Sequence, residues 1–413
     1  MQPETISYSD PRLRRSCRGS KRRILIEGNS LVEERAYWLA WSQINGIGPI
    51  LLQRLHEHFN SLATAWTAKS IELYQVEGFG KQTTEKILQE REKINPEQFI
   101  EKHLIKNPHF WTPADRDYPR LLLEIPSPPP VLYYRGIVDT KENQGITPTV
   151  AIVGTRSPSE YGRRWARKFS AALAKSGFTV VSGLATGIDT EAHTSCLDAG
   201  GRTLAIFGTG VDIVYPRPNE RLCDRVLQQG LVISEYPAGT QPNKTNFPRR
   251  NRIIAGLSRA TIVIEAPRKS GALITAYEAN DFCRDVYVLT ARLDDELSFG
   301  CLELLSKGAH PILPGNDQML TEERLLEMLG AIPKLDKAEQ LSLFPVNPAP
   351  QRQVPPLDAE LTLVLSAIAS DPTSFDSIVE VAGLEAGTVS GTLLQLELLG
   401  LVSQLPGMRY QRC

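Results

Sequence analysis

An α/β fold built on an extended Rossmann-like, mostly parallel sheet is predicted by three features of the sequence. Between residues 149 and 313, short apolar runs rich in β-branched residues alternate with helix-length segments, the pattern of strands joined by crossover helices. Several runs end on small or polar residues: Gly154, Ser182 and Gly183, Gly208, Ser234 and Glu235, and Glu265. Basic side chains gather near those ends, although the chain of 413 residues carries a formal net charge of only −1. Ligands of open α/β sheets sit beyond the carboxyl ends of the strands, so these residues should rim one crevice.

The first predicted strand, Val150-Ala-Ile-Val, stops at Gly154. A helix follows over 161–175, where Trp165, Phe169 and Leu173 make an apolar stripe and Arg163, Arg164, Arg167 and Lys168 cover other faces. The runs 179–183, 203–208, 231–235, 260–265, 285–290 and 310–313 repeat the alternation. Such a sheet is covered on both faces. Two stretches, 161–188 and 236–264, contain no acidic residue, and the second carries Lys244, Arg249, Arg250, Arg252 and Arg259. Concentrated cations beside a predicted crevice mark a polyanion site.

The flanks read as separate modules. Residues 1–30, with Arg12, Arg14, Arg15, Arg18, Lys21, Arg22 and Arg23 but no hydrophobic pattern, are expected to be a disordered basic tail. Residues 31–109 read as a helix-hairpin-helix or SAM-like domain, because Ile44-Asn-Gly46-Ile-Gly48-Pro and Val76-Glu-Gly78-Phe-Gly80-Lys are similar hairpins, each ahead of a helix. Such hairpins often meet the phosphate backbone without reading sequence, and many serve only as structure. Residues 110–148 form a connector whose prolines, aromatics and leucines want burial. After the sheet domain, 149–330, comes a proline-rich linker, 331–357.

The last module, 358–413, has three helical patterns and a final tract suited to a β-wing, and reads as a winged helix. It holds seven acidic residues against two basic ones, and its third helix has no Lys or Arg. A recognition helix lying among phosphates needs the opposite balance, so this module reads as a protein-contact or regulatory domain.

No apolar run has the length of a membrane span and no signal-peptide core is visible, which predicts a cytoplasmic protein without membrane contact. Six scattered cysteines, at 17, 196, 223, 283, 301 and 413, lack a Cys-x-x-Cys pair and read as small hydrophobes. Neither a Gly-x-Gly-x-x-Gly after the first strand nor a Walker A run is present, so no cofactor is expected. Asp189 and His193 stand four apart on a predicted helix and could share a metal. With no third ligand in view, they read instead as a helix-start carboxylate and a satisfied histidine, and no metal is expected.

Three segments carry the candidate site. Gly154, Thr155 and Arg156 offer backbone N–H groups, a hydroxyl and a guanidinium at an expected helix N-terminus, suited to one phosphate. Ser182 and Gly183 open a similar turn at the second strand. Phe247, Arg249, Asn251 and Arg252, with Lys244 just before them, place cationic forks beside an aromatic that could stack on a base or simply be core.

These residues, Ala151-Ile-Val-Gly-Thr-Arg156, Ser182-Gly-Leu-Ala-Thr-Gly-Ile-Asp-Thr-Glu-Ala-His193, Tyr215-Pro216, Ser234-Glu-Tyr-Pro237, Phe247-Pro-Arg-Arg-Asn-Arg-Ile-Ile-Ala-Gly-Leu-Ser258 and Glu265-Ala-Pro-Arg-Lys-Ser-Gly-Ala-Leu-Ile-Thr275, together resemble the DNA-processing protein A (DprA/Smf) family. The resemblance spans the connector through Leu313 and agrees with the flanking modules. It implies a non-enzymatic homodimer that binds single-stranded DNA in its Rossmann-like domain and loads RecA during natural transformation. By motif position it assigns DNA contact to Arg156, Lys244, Arg249 and Arg252, and to Arg217 after Tyr-Pro. The chain departs from the family at Thr290-Ala291, where Pro-Gly is common. The central segment also resembles lysine-decarboxylase-like nucleotide hydrolases, through Ser270-Gly271, Thr275 and Glu278, which would make Glu278 a catalytic carboxylate. A third reading is a scaffold that joins proteins without binding DNA.

Overall fold

The computed structural model describes residues 29–316, 319–330, 358–368, 373–399, 401–405 and 408–412. Residues 1–28 of the basic tail, the linker at 331–357, Cys17 and Cys413 lie outside them. Two compact units divide the chain, the first running to residue 334.

Nine strands make the sheet of the first unit: β1 (Phe110–Trp111), β2 (Leu132–Gly136), β3 (Thr149–Val153), β4 (Thr179–Ser182), β5 (Thr203–Phe207), β6 (Leu231–Ser234), β7 (Ala260–Val263), β8 (Asp285–Leu289) and β9 (His310–Ile312). Their order is β1-β2-β6-β5-β4-β3-β7-β8-β9. From β6 to β9 every neighbour is parallel, while β2 runs antiparallel to β6 and β1 to β2. The predicted strands therefore all form. The connector, expected to be extended and buried, adds β1 and β2 as strands of the sheet. Its Leu132 and Tyr133 are buried, and β2 pairs Tyr133 with Ser234 and Gly136 with Leu231.

Alternation along β3 assigns its side chains to two cores. Ala151 and Val153 face the helices Asn246–Gly256, Gly271–Asp281 and Phe299–Ser306, whereas Val150 and Ile152 face Glu160–Lys175, Ile188–Asp198 and Thr321–Leu329. Along Glu160–Lys175 the wholly buried residues are Ala166, Phe169, Ser170 and Leu173, an i, i+3, i+4, i+7 stripe. Trp165, predicted for that stripe, is half-buried at its edge, stacked on Phe169 with ring centroids 5.1 Å apart.

Both predicted hairpins form in the helical module. Gly46 and Gly78 adopt φ of +90° and +94°, which an L-residue rarely takes, and Gly48 and Gly80 cap the helices Pro49–Phe59 and Lys81–Arg91. They are cross-linked reciprocally. Asn45 of the first hairpin donates its backbone N–H to Glu90 of the second helix at 2.7 Å, and Arg54 of the first helix donates to the Glu77 carbonyl at 3.2 Å. The module has its own core around Trp41, Leu52, Leu55 and Ile87, while Ala36, Leu39 and Ile100 pack with sheet residues such as Ala205 and Val232.

The second unit holds helices Ala359–Ala367, Phe375–Ala382 and Ala386–Leu398 with a three-stranded antiparallel sheet made of β10 (Thr373–Ser374), β11 (Val402–Leu405) and β12 (Arg409–Arg412). This is the predicted winged helix. Val389, Leu393 and Leu396 of its third helix are buried, and Leu394 stands exposed.

Candidate nucleic-acid interface

The strand order reverses at β3: the chain builds β4, β5 and β6 on one side, then returns to place β7, β8 and β9 on the other. Outside the carboxyl ends of β3 and its neighbours, where such sheets bind ligands, lies a cleft of about 560 Å³. Gly154, Thr155 and Arg156 line it from β3, Ala185 and Asp189 from the segment after β4, Lys244, Phe247, Arg250 and Asn251 from helix Asn246–Gly256 and its approach, and Ser270 and Gly271 from the next helix. A smaller hollow of about 180 Å³ adjoins it, bounded by Arg156, Gly183, Ala185, Thr186, Tyr215, Phe247 and Arg250.

Backbone donors of both turns, those of Thr155, Ser159, Gly183 and Ala185, are engaged within the protein. After β3 the helix begins only at Glu160. Buried Glu265 occupies its N-terminus, accepting from the Ser159 backbone N–H at 2.9 Å and from the Ser159 hydroxyl, while the Thr155 N–H donates to the Glu265 carbonyl at 2.7 Å. After β4, buried Asp189 accepts from Gly183 at 3.0 Å and Ala185 at 3.3 Å. Each turn thus carries its own carboxylate where a nucleotide phosphate would sit. Ser182 is wholly buried and donates its hydroxyl to the Ile152 carbonyl at 2.7 Å.

What faces solvent in the cleft is cationic and aromatic. Arg156 and Lys244 are exposed and hold no ion pair among the described residues. Phe247 is half-buried, its ring centroid 5.3 Å from that of Tyr215, which is 44% exposed. Arg217 is exposed in a short 3₁₀ turn just beyond Tyr215. Asn251 braces the cleft wall, donating to the Gly271 carbonyl at 3.0 Å.

Helical periodicity parts the remaining cations. On helix Asn246–Gly256, Phe247, Arg250, Asn251 and Ile254 face the cleft, but Arg249 and Arg252 line a separate hollow of about 580 Å³ with Glu235, Glu278 and the first hairpin residues Ile47, Gly48 and Pro49. Arg252 is paired there with Glu235 and donates through Nε to the Ser127 carbonyl at 3.2 Å. Glu278, half-buried and with its acidity weakened by burial, shares that hollow, so it does not stand with Ser270 and Gly271 as the hydrolase resemblance would require.

Arg250, absent from the predicted site, is the most buried cation of the cleft at 5% exposure. Burial lowers its pKa to about 10, the nearby Arg156 charge adds to this, and the Asp189 carboxylate opposes it, so it stays protonated at neutral pH. His193 lies buried on the helix Asp189 opens, its Nδ1 2.7 Å from the Thr203 hydroxyl, and burial depresses its pKa to about 3. No cluster of three or more His, Cys, Asp or Glu that could hold a metal occurs among the described residues. Cys196, Cys223 and Cys301 are buried as predicted, and Cys283 is exposed. No helix among the described residues is long and apolar enough to cross a membrane.

A doubly wound sheet with a basic, aromatic-lined cleft at its switch point defines an α/β protein of the Rossmann-like class. Residues 109–323 match the family model described as DNA recombination-mediator protein A, and 348–408 match the DprA winged helix domain. Protein Smf of Synechocystis sp. is 53% identical over 400 residues, covering 92% of this chain and 99% of that protein. The DNA processing protein DprA of Streptococcus pneumoniae is 43% identical over 218 residues, 53% of this chain and 75% of its own length. The X-ray structure of DprA from Streptococcus pneumoniae covers 67% of this chain and 94% of that one, with a TM-score of 0.59 at 34% identity. The chain belongs to the DprA/Smf family.

Proposed function

We propose that this chain is a non-enzymatic recombination mediator that binds single-stranded DNA in the strand-end cleft and, as a homodimer, loads RecA onto it during natural transformation. One observation carries the reading: Arg156 and Lys244 stand exposed beside the Tyr215–Phe247 pair, while Glu265 and Asp189 fill the helix-start positions that a mononucleotide needs. Side-chain cations and stacking surfaces suit a sequence-tolerant strand, since bases present π-faces whatever their identity. Arg217, exposed two residues beyond Tyr215, extends the track. Arg249, on the far face of the helix, meets the strand only where it leaves the cleft, and Arg252 supports the helix through Glu235. The winged helix, with an exposed third-helix face free of Lys and Arg, serves contact with a protein.

The test is binding of a fluorescent oligo-dT and of the matching duplex across a salt series. Single-strand preference is expected, with Arg156→Ala and Lys244→Ala each lowering affinity and reducing the salt slope by about 0.7. Equal weak binding of both DNAs by wild type and variants would end the DNA reading. RecA filament formation on the same oligonucleotide then tests the loading step.

A further inference from the structure

Resting on the strand-binding reading, a second role follows for the buried guanidinium beneath it. Arg250 Nη1 donates to the Gly183 carbonyl at 2.9 Å and to the Ile206 carbonyl, and Nε donates to Asn251 Oδ1 at 3.3 Å. Gly183 directly follows β4, and Ile206 is the penultimate residue of β5. The approach at Gly183 is tight: a Cβ there would lie 2.5 Å from Arg250 Nη2. Past Ile206 and the end of β5 comes Gly208, where a Cβ would lie 2.8 Å from the Phe247 ring, so that ring rests on the glycine.

These contacts close a loop in space. The β4 end carries Ala185 and Thr186 of the small hollow, the β5 end seats Phe247, and the helix that presents Phe247 also presents Arg250. Asp189 holds the same β4 turn from the other side through Gly183 and Ala185, and its charge compensates the buried guanidinium at a distance. We infer that Arg250 is the positioning residue of the cleft: it ties the ends of β4 and β5 to helix Asn246–Gly256, so that Arg156, Lys244 and Phe247 present one fixed surface to a DNA strand. It acts through those elements and takes no phosphate of its own. A fixed surface spares the ordering of loops on binding, which otherwise subtracts from affinity.

The experiment uses the full chain, fluorescent oligo-dT and a salt series, with Arg250→Met, Arg250→Lys and Gly183→Ala. Gly183→Ala keeps every cation but drives its Cβ against the guanidinium. Arg250→Met and Gly183→Ala are expected to weaken binding at fixed salt by at least about ten-fold with the wild-type salt slope retained, and Arg250→Lys to recover most of the loss. A slope reduced by about 0.7 in Arg250→Met would mean that Arg250 contacts a phosphate itself, overturning the positioning role. Wild-type affinity in either Gly183→Ala or Arg250→Met would overturn it as well, and Gly183→Ala decides alone if Arg250→Met does not fold. Failure of the strand-binding reading is seen separately, as unchanged affinity and slope in Arg156→Ala.

Discussion

The Arg252 guanidinium grips the Glu235 carboxylate through both terminal nitrogens, at 3.1 and 2.8 Å, on the face of its helix turned away from the strand-end cleft. Two residues earlier on the same helix, Arg250 turns into the cleft. Cations that look equivalent in sequence therefore do different work, one fastening the helix to the end of β6 and the connector, the other shaping the site.

Arg252→Ala is expected to cost about 2–4 kcal/mol of stability, since both partners are largely buried and Glu235 would be left without its counter-charge. Its salt slope for oligo-dT should match wild type. Arg156→Ala should show the reverse, with stability within about 0.5 kcal/mol of wild type and a lower slope, because its exposed side chain holds no ion pair. Urea denaturation and binding on the same preparations check both.

Acid should destabilise the first unit through His193. Its pKa is about 3 when folded and 6.5 in the unfolded chain, so between those values the unfolded state binds the extra proton and stability falls as pH falls. The slope is about 1.4 kcal/mol per pH unit, or about 2 kcal/mol between pH 7 and pH 5. Asp189, whose pKa burial raises, works in the opposite sense, because over the range between its unfolded and folded values the folded state binds the proton more tightly. His193→Gln leaves Asp189 in place, so the variant's pH dependence should be shallower than wild type by about one proton. Equal slopes from urea midpoints at pH 7 and pH 5 would remove His193 as the cause.

Much of this was legible in the chain. The continuous apolar run of β3, buried on both faces, and the runs that follow come directly from side-chain pattern, and the paired Gly-x-Gly hairpins announce their own positive φ. The connector strands were not legible, because Leu132 to Gly136 is pinned by pairing with β6, a partner about a hundred residues away that no local signal names. Nor were the roles of Glu265 and Asp189. Glu265 reads as a strand-end acid and Asp189 as a helix-start carboxylate, and only the folded chain shows the first accepting from Ser159 and the second from Gly183 and Ala185. Motif position selects Arg252 over Arg250, and the face each takes was not legible for a related reason. The segment is uniformly basic, and which face of its helix meets the cleft depends on Glu235 and on the ends of β4 and β5.

A buried ion pair joins the connector to the sheet and gives a second stability test. Glu142 is 6% exposed and accepts from Arg202 Nε at 2.8 Å and Nη2 at 2.9 Å, as well as from the Thr179 hydroxyl that begins β4, while Arg202 also reaches the Ile137 carbonyl at 2.6 Å. Glu142→Ala leaves the guanidinium without its counter-charge beside backbone carbonyls, and a loss of about 3 kcal/mol is expected by urea denaturation. Glu142→Gln keeps the shape and should lose less, because the amide oxygen can still accept.

The two hairpins offer an internal control on how the helical module is held. Gly46 and Gly78 share the same positive φ, but a Cβ at Gly46 would meet nothing within 4 Å, whereas one at Gly78 would lie 2.7 Å from Leu51 Cδ2 and 3.3 Å from Arg54 Nη1. Gly46→Ala therefore reports backbone strain alone, about 1–2 kcal/mol. Gly78→Ala adds displacement of Leu51 and of the Arg54 bond to the Glu77 carbonyl, and should cost about 1–3 kcal/mol more. Equal losses in thermal or urea unfolding would mean that the second hairpin does not pack against the first helix as tightly as these distances require. A larger loss at Gly78 would identify that contact as the one that keeps the hairpins in register.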